Sequence, residues 1–178
     1  MKIISKSVND TLKIGRAIAK NLREGDIVCL FGELASGKTV LAKGIASGLG
    51  IKRGVVISPT FVLLRQYSTA KMPLYHFDLY RLKTTEDIFA LGYEEYFYGE
   101  GITVVEWADR LKYLLPKEYL KIKLSIKSDS QRLFEFSALG KHYRELLGKI
   151  YEPRPSCKKS ESAIKGRKRG IVRKEGRG

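Results

Sequence analysis

Apolar residues recur along this chain at two spacings, and their order predicts alternating helices and strands. Helical spacing follows Ser7-Val8-Asn9-Asp10, a typical helix start, and we expect this helix to end near Gly25. A second helix is predicted after residue 38, with Gly48 and Gly50 as its stop signals. The apolar positions expected on the buried faces are Leu12, Ala17, Ile18 and Leu22 in the first helix and Val40, Leu41, Ile45 and Leu49 in the second.

Short apolar runs predict the strands of the same domain. The predicted strands are 26–31, 62–64, 74–78, 102–106, 120–126 and 132–138, the last two forming a hairpin around Ser128-Asp129-Ser130. The predicted later helices are 84–91, closed by Gly92, and 141–150. Mixed parallel and antiparallel strands with helices on both faces give an α/β fold of three layers.

Between the first long apolar run and the second helix lies Gly32-Glu33-Leu34-Ala35-Ser36-Gly37-Lys38-Thr39, which fits the phosphate-binding P-loop (Walker A) pattern. Its glycines let the backbone wrap around an anion, so that the N–H groups of residues 34–39 converge on a phosphate at the helix N-terminus. Lys38 is expected to reach the β- and γ-phosphates and Thr39 to ligate Mg²⁺. The flanking strand and helix favour this interpretation over a glycine-rich turn with an incidental lysine.

Two acidic residues end predicted strands. Glu106 follows four apolar or β-branched residues, as in a Walker B strand whose carboxylate holds Mg²⁺ directly or through water, and Asp78 ends another strand. An isolated carboxylate in such a place is more often a cap or turn residue. The P-loop favours a functional role for these two acids over a capping role, because α/β sheets bind ligands beyond the carboxyl ends of their strands. A Mg-ATP site needs a metal ligand and a group that orients the attacking water, and these two acids suit those tasks.

Size and composition limit the class of protein. With 178 residues and 43% hydrophobic content, the chain is expected to form one domain around one core. There is no apolar run of 18 residues, and Met1–Lys6 lack a signal-peptide core, so we expect neither a membrane span nor a signal peptide. We therefore expect the protein to be cytoplasmic. Cys29 and Cys157 form neither a disulfide framework nor a metal cluster.

Charge is distributed unevenly along the chain. Residues 152–178 carry ten Lys or Arg and three Asp or Glu, a net charge of +7 out of +15 for the whole chain. This segment has almost no apolar content, so we expect a disordered basic tail after a P-loop ATPase domain at residues 1–151. Such a tail has two open interpretations: contact with RNA through counterion release, or a solvated extension without a specific partner.

Four motifs together resemble one family. The P-loop, Ser58-Pro59-Thr60-Phe61, His76-Phe77-Asp78-Leu79-Tyr80-Arg81 and Glu106-Trp107 occur in the order typical of the bacterial TsaE family, formerly called YjeE, the ATPase of tRNA threonylcarbamoyladenosine biosynthesis. The resemblance covers residues from about 5 to 148. The family usually has Gly where this chain has Ala35 and Thr where it has Val40. Ala35 therefore implies a residue that need not take a positive φ, and Val40 removes a hydroxyl near the α-phosphate.

The resemblance implies roles for individual residues. Lys38, Asp78 and Glu106 would be catalytic, with Thr39 and Glu106 serving Mg²⁺ and Asp78 positioning or activating water. Thr60 would sense the γ-phosphate as a switch threonine beside Ser58. The ATP-binding set would be Ala35, Ser36, Gly37, Lys38, Thr39, Val40, Thr60, Trp107 and Arg132, with Val8 and Asn9 bordering the adenine. For His76, Tyr80 and Arg81 a functional role and a purely structural one stay open.

The resemblance also implies partners. ATP hydrolysis in the family is thought to reset the complex of TsaD with TsaB between rounds of modification of tRNA adenosine-37, and tRNA contact would be indirect or through the basic tail. Slow hydrolysis without partners is expected, because a P-loop without a built-in arginine finger lacks transition-state charge stabilisation. The alternative is a small P-loop kinase acting on a metabolite, with a lid around Arg110, Lys112 and Lys117. A GTPase is disfavoured because the chain has no Asn-Lys-x-Asp motif for guanine recognition. An RNA-binding protein that acts only through the tail is disfavoured because it would leave the P-loop unexplained.

Overall fold

A computed structural model describes residues 1–52, 54–56, 59, 61–69 and 72–151. Its helices are α1 Val8–Ala19, α2 Lys38–Gly48, α3 Thr85–Phe89, α4 Tyr93–Phe97 and α5 Lys141–Tyr151, with a 3-10 helix at Ala108–Leu114. Its strands are β1 Lys2–Ser5, β2 Ile27–Gly32, β3 Leu64–Tyr67, β4 Leu74–Asp78, β5 Ile102–Glu106, β6 Tyr119–Ile126 and β7 Arg132–Leu139.

The strands within these ranges form one mixed sheet in the order β1-β7-β6-β2-β5-β4-β3. Its centre is parallel, since β2 pairs in parallel with both β5 and β6, and β5 pairs in parallel with β4. The outer pairs β1–β7, β6–β7 and β3–β4 are antiparallel. The predicted mixed α/β fold is thus confirmed, and the carboxyl ends of the parallel strands lie at one edge.

Side chains alternate along each strand, so the sheet has a core on each face. On one face, Val28 and Leu30 pack with buried residues of α1, α2 and α5, including Ile18, Leu41 and Leu146. On the other, Cys29 and Val105 pack with buried residues of α3, α4 and the 3-10 helix. This gives the three layers that the apolar periodicity predicts.

Helix α1 crosses α2 at unusually short range. A Cβ atom added to Gly15 would lie 2.7 Å from the backbone of Gly44, and one added to Gly48 would lie 2.5 Å from the Cβ of Ala19. The buried face of α1 accordingly includes the small residues Thr11 and Gly15, which were not predicted there. Ile18 and Leu22 are buried as predicted, whereas Ala17 is exposed. The helix also ends at Ala19 instead of near Gly25.

One predicted strand needs correction, and two elements of the structure were not predicted. The strand predicted at 62–64 begins at Leu64, because the N–H groups of Val62 and Leu63 both donate to the Pro59 carbonyl in a turn, and Leu63 has φ 65°. Gly92 both follows α3 and caps the start of α4, a helix that the sequence did not predict. Strand β1 was also missed, because four residues at a chain end give too short a pattern to recognise.

The predicted boundary after residue 151 coincides with the end of the described residues, so the tail at 152–178 lies outside them. Ser58 and Thr60 of the predicted switch segment lie outside them as well. Within the described ranges, no helix is both long enough and apolar enough to cross a membrane.

Candidate nucleotide site

The loop between β2 and α2 has the backbone conformation of an anion-binding turn. Ala35 has φ 60° and Gly37 has φ 101°. The expectation that Ala35 avoids a positive φ is therefore wrong: the loop imposes the left-handed conformation on a residue with a Cβ atom, at a cost of about 1 kcal/mol. Gly32 is required for space, since an added Cβ would meet the Leu124 carbonyl oxygen at 2.3 Å. The close packing of β6 thus fixes where the loop begins.

Lys38 is folded back onto this loop. Its ammonium Nζ donates to the carbonyl oxygens of Gly32 and Glu33, both at 2.8 Å, and lies 3.7 Å from the centre of the Trp107 ring. Burial lowers the pKa of Lys38, while the carboxylates of Glu106, Asp109 and Asp78 act in the opposite direction. The lysine is therefore a partly desolvated cation whose partners are neutral carbonyls, an arrangement that favours exchange for an anionic ligand.

Two buried carboxylates face this lysine from neighbouring strands. Asp78 and Glu106 are cross-strand partners at the ends of β4 and β5, and they are 3% and 1% exposed. The Thr39 hydroxyl donates to Glu106 Oε2 at 2.7 Å, which joins the first turn of α2 to the end of β5. Burial of acids of this kind is costly unless each oxygen has a partner.

His76 supplies the partner of the second Glu106 oxygen. Its Nε2 lies 2.8 Å from Glu106 Oε1, both side chains are 1% exposed, and its Nδ1 makes no hydrogen bond within the described residues. A carboxylate accepts both bonds, so His76 and Thr39 hold Glu106 from two sides. The role left open for His76 is thus an interior one in direct contact with the candidate metal ligand.

Alternation along the strand is the signal that sequence reasoning underused. Residues 74, 76 and 78 of β4 share a face with 102, 104 and 106 of β5, so His76 and Asp78 lie on the side of the sheet that α2 covers. The His-x-Asp spacing therefore places both side chains beside Glu106 as soon as β4 and β5 are taken as neighbours.

Asp78 is oriented by the residues that follow it. Its Oδ1 accepts a hydrogen bond from the Tyr80 N–H at 3.1 Å. The Tyr80 ring lies 4.9 Å from the ring of Trp107, which adopts the left-handed conformation with φ 58°. Arg81 does not line this site; its Cζ atom lies 4.1 Å from the centre of the exposed Phe61 ring. Tyr80 and Trp107 thus form an aromatic wall on the Lys38 side of the site.

These side chains surround a cavity of about 310 Å³, lined by Leu34, Ala35, Gly37, Lys38, Thr39, Val40, Asp78, Tyr80, Glu106 and Trp107. A second cavity of about 310 Å³ adjoins it and shares Ala35, Gly37 and Val40. Val8 and Arg132 line this second cavity, and Arg132 Nη2 lies 3.5 Å from the Ala35 carbonyl oxygen. Asn9, predicted beside Val8, is exposed and lines neither cavity. The structure brings the other predicted site residues that it describes to these two cavities; Ser36 is buried beneath the loop, with its Oγ 3.5 Å from Lys38 Nζ.

The donor set fits a nucleotide with Mg²⁺. A hydroxyl and a carboxylate oxygen, from Thr39 and Glu106, are the hard oxygen ligands that Mg²⁺ prefers. The loop at the N-terminus of α2 provides N–H groups and a cation for phosphates. Two connected cavities, one beside the acids and one beside Val8 and Arg132, offer separate room for phosphates and for the rest of a nucleotide.

Comparison with known proteins identifies relatives over most of the described chain. The family model for the threonylcarbamoyl adenosine biosynthesis protein TsaE matches residues 5–134. The tRNA threonylcarbamoyladenosine biosynthesis proteins TsaE of Bacillus subtilis and Treponema pallidum are 41% and 42% identical to this chain; the alignments cover 79% and 74% of it and 87% and 96% of them. The crystal structure of Bacillus subtilis YdiB matches with a TM-score of 0.72 at 34% identity, covering 84% of this chain and 93% of that one.

The chain belongs to the TsaE family. TsaE proteins are involved in the biosynthesis of threonylcarbamoyladenosine in tRNA. The segment that matches the TsaE model contains the P-loop, both strand-end acids and Arg132, and it ends within β7, before α5.

A larger cavity lies at the opposite edge of the sheet in this TsaE family member. It measures about 520 Å³ and is lined by the residues that precede β2, among them Asp26, together with His142 and Tyr143 of α5. Asp26 Oδ1 lies 2.8 Å from His142 Nε2, and the Tyr143 hydroxyl accepts the Ile27 N–H at 2.7 Å. These groups pair with each other and tie α5 to the start of β2. The smaller cavity at the carboxyl edge is the stronger candidate site, because parallel sheets bind ligands there.

Proposed function

We propose that this protein binds Mg-ATP at the P-loop and hydrolyses it, acting with the TsaB–TsaD complex in the formation of threonylcarbamoyladenosine at tRNA position 37. The observation that supports the chemistry is the convergence of Lys38, Thr39, Asp78 and Glu106 on one cavity. The partner assignment rests on membership of the TsaE family and on the pathway for which its relatives are named.

Binding of the phosphates begins with Lys38. Its ammonium exchanges two backbone carbonyls for phosphate oxygens, while the backbone N–H groups of residues 34–39 bind the same anion. Because burial already lowers the pKa of this lysine, an anionic partner relieves an existing desolvation cost. Val8 and Arg132 in the adjoining cavity then contact the nucleoside part.

Thr39 and Glu106 would hold Mg²⁺, which neutralises charge that develops on the phosphates when it is bound. His76 keeps Glu106 in place by occupying its Oε1 atom, so that Oε2 stays beside Thr39. Asp78, held by the Tyr80 N–H, has the position to orient the attacking water or accept its proton. Tyr80 and Trp107 exclude solvent from one side of Lys38.

Hydrolysis by the protein alone is expected to be slow. Arg132 lines the adjoining cavity, and its Nη1 is bound to the carbonyl oxygens of Ser128 and Gln131 at 2.9 and 3.0 Å. It is therefore held away from the cavity that contains Asp78 and Glu106. A cation that stabilises the transition state would have to come from a partner, a contribution of about a thousandfold or more.

The kinase alternative gains no support from the structure. Of the three residues of the alternative lid, Arg110 and Lys112 lie in the 3-10 helix Ala108–Leu114, in which Leu111 and Leu114 are buried in the core, and Lys117 follows it. Its packing makes it part of the second helical layer.

The experiment is ATP hydrolysis by the purified protein, alone and with the matching TsaB–TsaD complex. Slow turnover that rises with the complex, and that is lost in Lys38→Ala and Glu106→Ala, is the expected result. Lys43→Ala is the matched control, since Lys43 is exposed on the same helix and lines neither of the two candidate cavities. Turnover that is indifferent to the complex would overturn the partner assignment and direct attention to metabolite acceptors.

A further inference from the structure

One part of the sheet has a core on only one side. Along β6, Leu120, Ile122 and Leu124 are buried under the helices, whereas Lys121, Lys123 and Ser125 point to the other face. The core on that other face includes Tyr119 and Leu139, the first cross-strand pair of β6 and β7, and extends no further along these strands within the described residues. We call the remaining area, together with Phe31 at the edge of that core, the open sheet face: Lys2, Ile4, Phe31, Lys121, Lys123, Ser125, Leu133, Glu135 and Ser137.

Pairing register aligns charged residues across this face. Phe31, Lys123, Glu135 and Lys2 are successive cross-strand partners on β2, β6, β7 and β1. Lys121 precedes Lys123 on the same side of β6, about 7 Å away along the strand. Its Nζ lies 4.8 Å from the centre of the Phe31 ring. The face therefore presents a row of side chains four strands wide that contains two lysines, one glutamate and one aromatic ring, with Lys121 as a third lysine beside it.

Glu135 is the one acid among the residues of the open sheet face, and cations crowd it. Lys2 Nζ lies 2.7 Å from its Oε1, and hydrogen bonding and charge from Lys2, with further charge from Lys123 and Lys127, lower the pKa of Glu135. Lys121, Lys123 and Lys127 form no ion pair with any acid in the described ranges. The face thus carries an uncompensated positive charge, and its complement is an extended anion.

We propose that the open sheet face binds RNA, with Lys2, Lys121, Lys123 and Lys127 contacting phosphates. Two features favour RNA over an acidic protein surface. The Phe31 ring is half-buried against the edge of the core on this face, and it lies beside Lys121 with part of its surface accessible for stacking. Aromatic rings among cations on a sheet are a common platform for unpaired bases. TsaE proteins are also involved in modifying a tRNA, so such an RNA is present in their pathway.

Neither the C-terminal segment of this chain nor a second copy of it is a good binding partner for the open sheet face. Residues 152–178 carry a net charge of +7, and a second copy of the chain carries +15, so both would be repelled. The competing role for the lysines is to keep an uncovered sheet face soluble, in which case they would have no particular ligand.

The test is binding of a fluorescently labelled tRNA transcript to the full-length protein by anisotropy, without nucleotide and over a series of salt concentrations. The decisive variant is Lys121→Gln/Lys123→Gln. Its matched control is Lys20→Gln/Lys43→Gln, which removes the same charge from exposed positions at the end of α1 and on α2, on the other side of the sheet. Lys121→Arg/Lys123→Arg retains the charge. Equal melting temperatures establish that all variants are folded, and Lys127→Gln, in the exposed hairpin turn, provides a second test of the face.

The expected result is weaker binding for Lys121→Gln/Lys123→Gln, with the slope of log affinity against log salt reduced by about 1.5, because each lost phosphate contact lowers it by about 0.7 to 0.9. The control pair and the arginine pair should bind nearly as the unmodified protein does. An equal loss of tRNA affinity in Lys121→Gln/Lys123→Gln and in Lys20→Gln/Lys43→Gln would overturn the proposal, because net charge alone would then explain the binding. Displacement of the tRNA by polyglutamate of matched charge as readily as by unlabelled tRNA would overturn it in favour of an acidic protein. Because no nucleotide is present, neither outcome depends on ATP hydrolysis.

Discussion

The two edges of the central sheet both contain a buried acid beside a histidine, yet the pairs are arranged for different tasks. At the amino edge, Asp26 and His142 contact each other, and Tyr143 satisfies the first N–H of β2. At the carboxyl edge, His76 occupies one oxygen of Glu106, while the other oxygen meets Thr39 at a cavity. The contacts at the amino edge join α5 to β2, whereas the carboxyl edge leaves a carboxylate oxygen aimed at a cavity with a cation, an arrangement suited to a ligand.

The largest expected difference between the edges comes from the carboxylate at the cavity. Glu106→Gln retains the shape of the side chain and removes its charge, so we expect ATP turnover to fall by about a hundredfold or more. Steady-state hydrolysis with the TsaB–TsaD complex measures it, and thermal melting controls for folding. Turnover within a few-fold of that of the unmodified protein would remove Glu106 from the proposed mechanism.

His76 is expected to act through Glu106, with a smaller effect. His76→Leu leaves Oε1 of Glu106 without its partner, so we expect about a tenfold loss of turnover and a higher Mg²⁺ concentration for half-maximal activity. His76→Gln, which can still donate to Glu106, should recover part of both. A loss of stability in His76→Leu with an unchanged Mg²⁺ requirement would mean that the histidine only fills the core.

At the amino edge, the expected effect is on stability alone. Tyr143→Phe leaves the buried Ile27 N–H without an acceptor, which should lower the free energy of unfolding by about 1–3 kcal/mol. Urea denaturation measures this change, and Tyr98→Phe, at a residue that is 69% exposed, is the matched control. Lower ATP turnover per folded molecule in Tyr143→Phe would show that the two edges are coupled.

The smallest effect is a pH dependence at the same edge. Burial raises the pKa of Asp26 above 3.8, against the opposing effects of the Arg23 N–H and of His142. A carboxyl whose pKa is raised in the folded state contributes stability that is present below pH 3.8 and is lost as the pH rises through the raised value. The free energy of unfolding of the unmodified protein, minus that of Asp26→Asn, should therefore fall over that interval. A difference that rises with pH would contradict the assigned direction.

The residues of the candidate site could be predicted from sequence where the chemistry requires particular residues at fixed spacing. The P-loop, Asp78 and Glu106 could be recognised because each follows an apolar run that predicts a strand, and the cavity brings them together. The contact of His76 with Glu106 and the positive φ of Ala35 depend on which strands are neighbours and on how β6 presses on Gly32, neither of which a local pattern contains. The amino-edge cavity was missed for the same reason, since α5 and β2 are more than a hundred residues apart.

The same limit applies to the glycines of α1 and α2. The sequence pattern suggested a role only for Gly48, as a stop signal, whereas Gly15, Gly44 and Gly48 together allow two helix backbones to approach closely. Which residue faces a partner helix depends on the crossing point, and apolar periodicity indicates a face without locating that point.

That close helix contact has a mechanical consequence for the candidate nucleotide cleft. The first residue of α1, Val8, lines one end of the cleft, and Lys38 and Thr39 at the start of α2 line the other. Gly15 and Gly44 let the two helix backbones pack closely, so we expect the helices to move together and to keep these two ends of the cleft at a fixed separation. We therefore expect any widening of the cleft to occur on the side away from these two helices, where the chain leaves β4 and β5 at Tyr80 and Trp107.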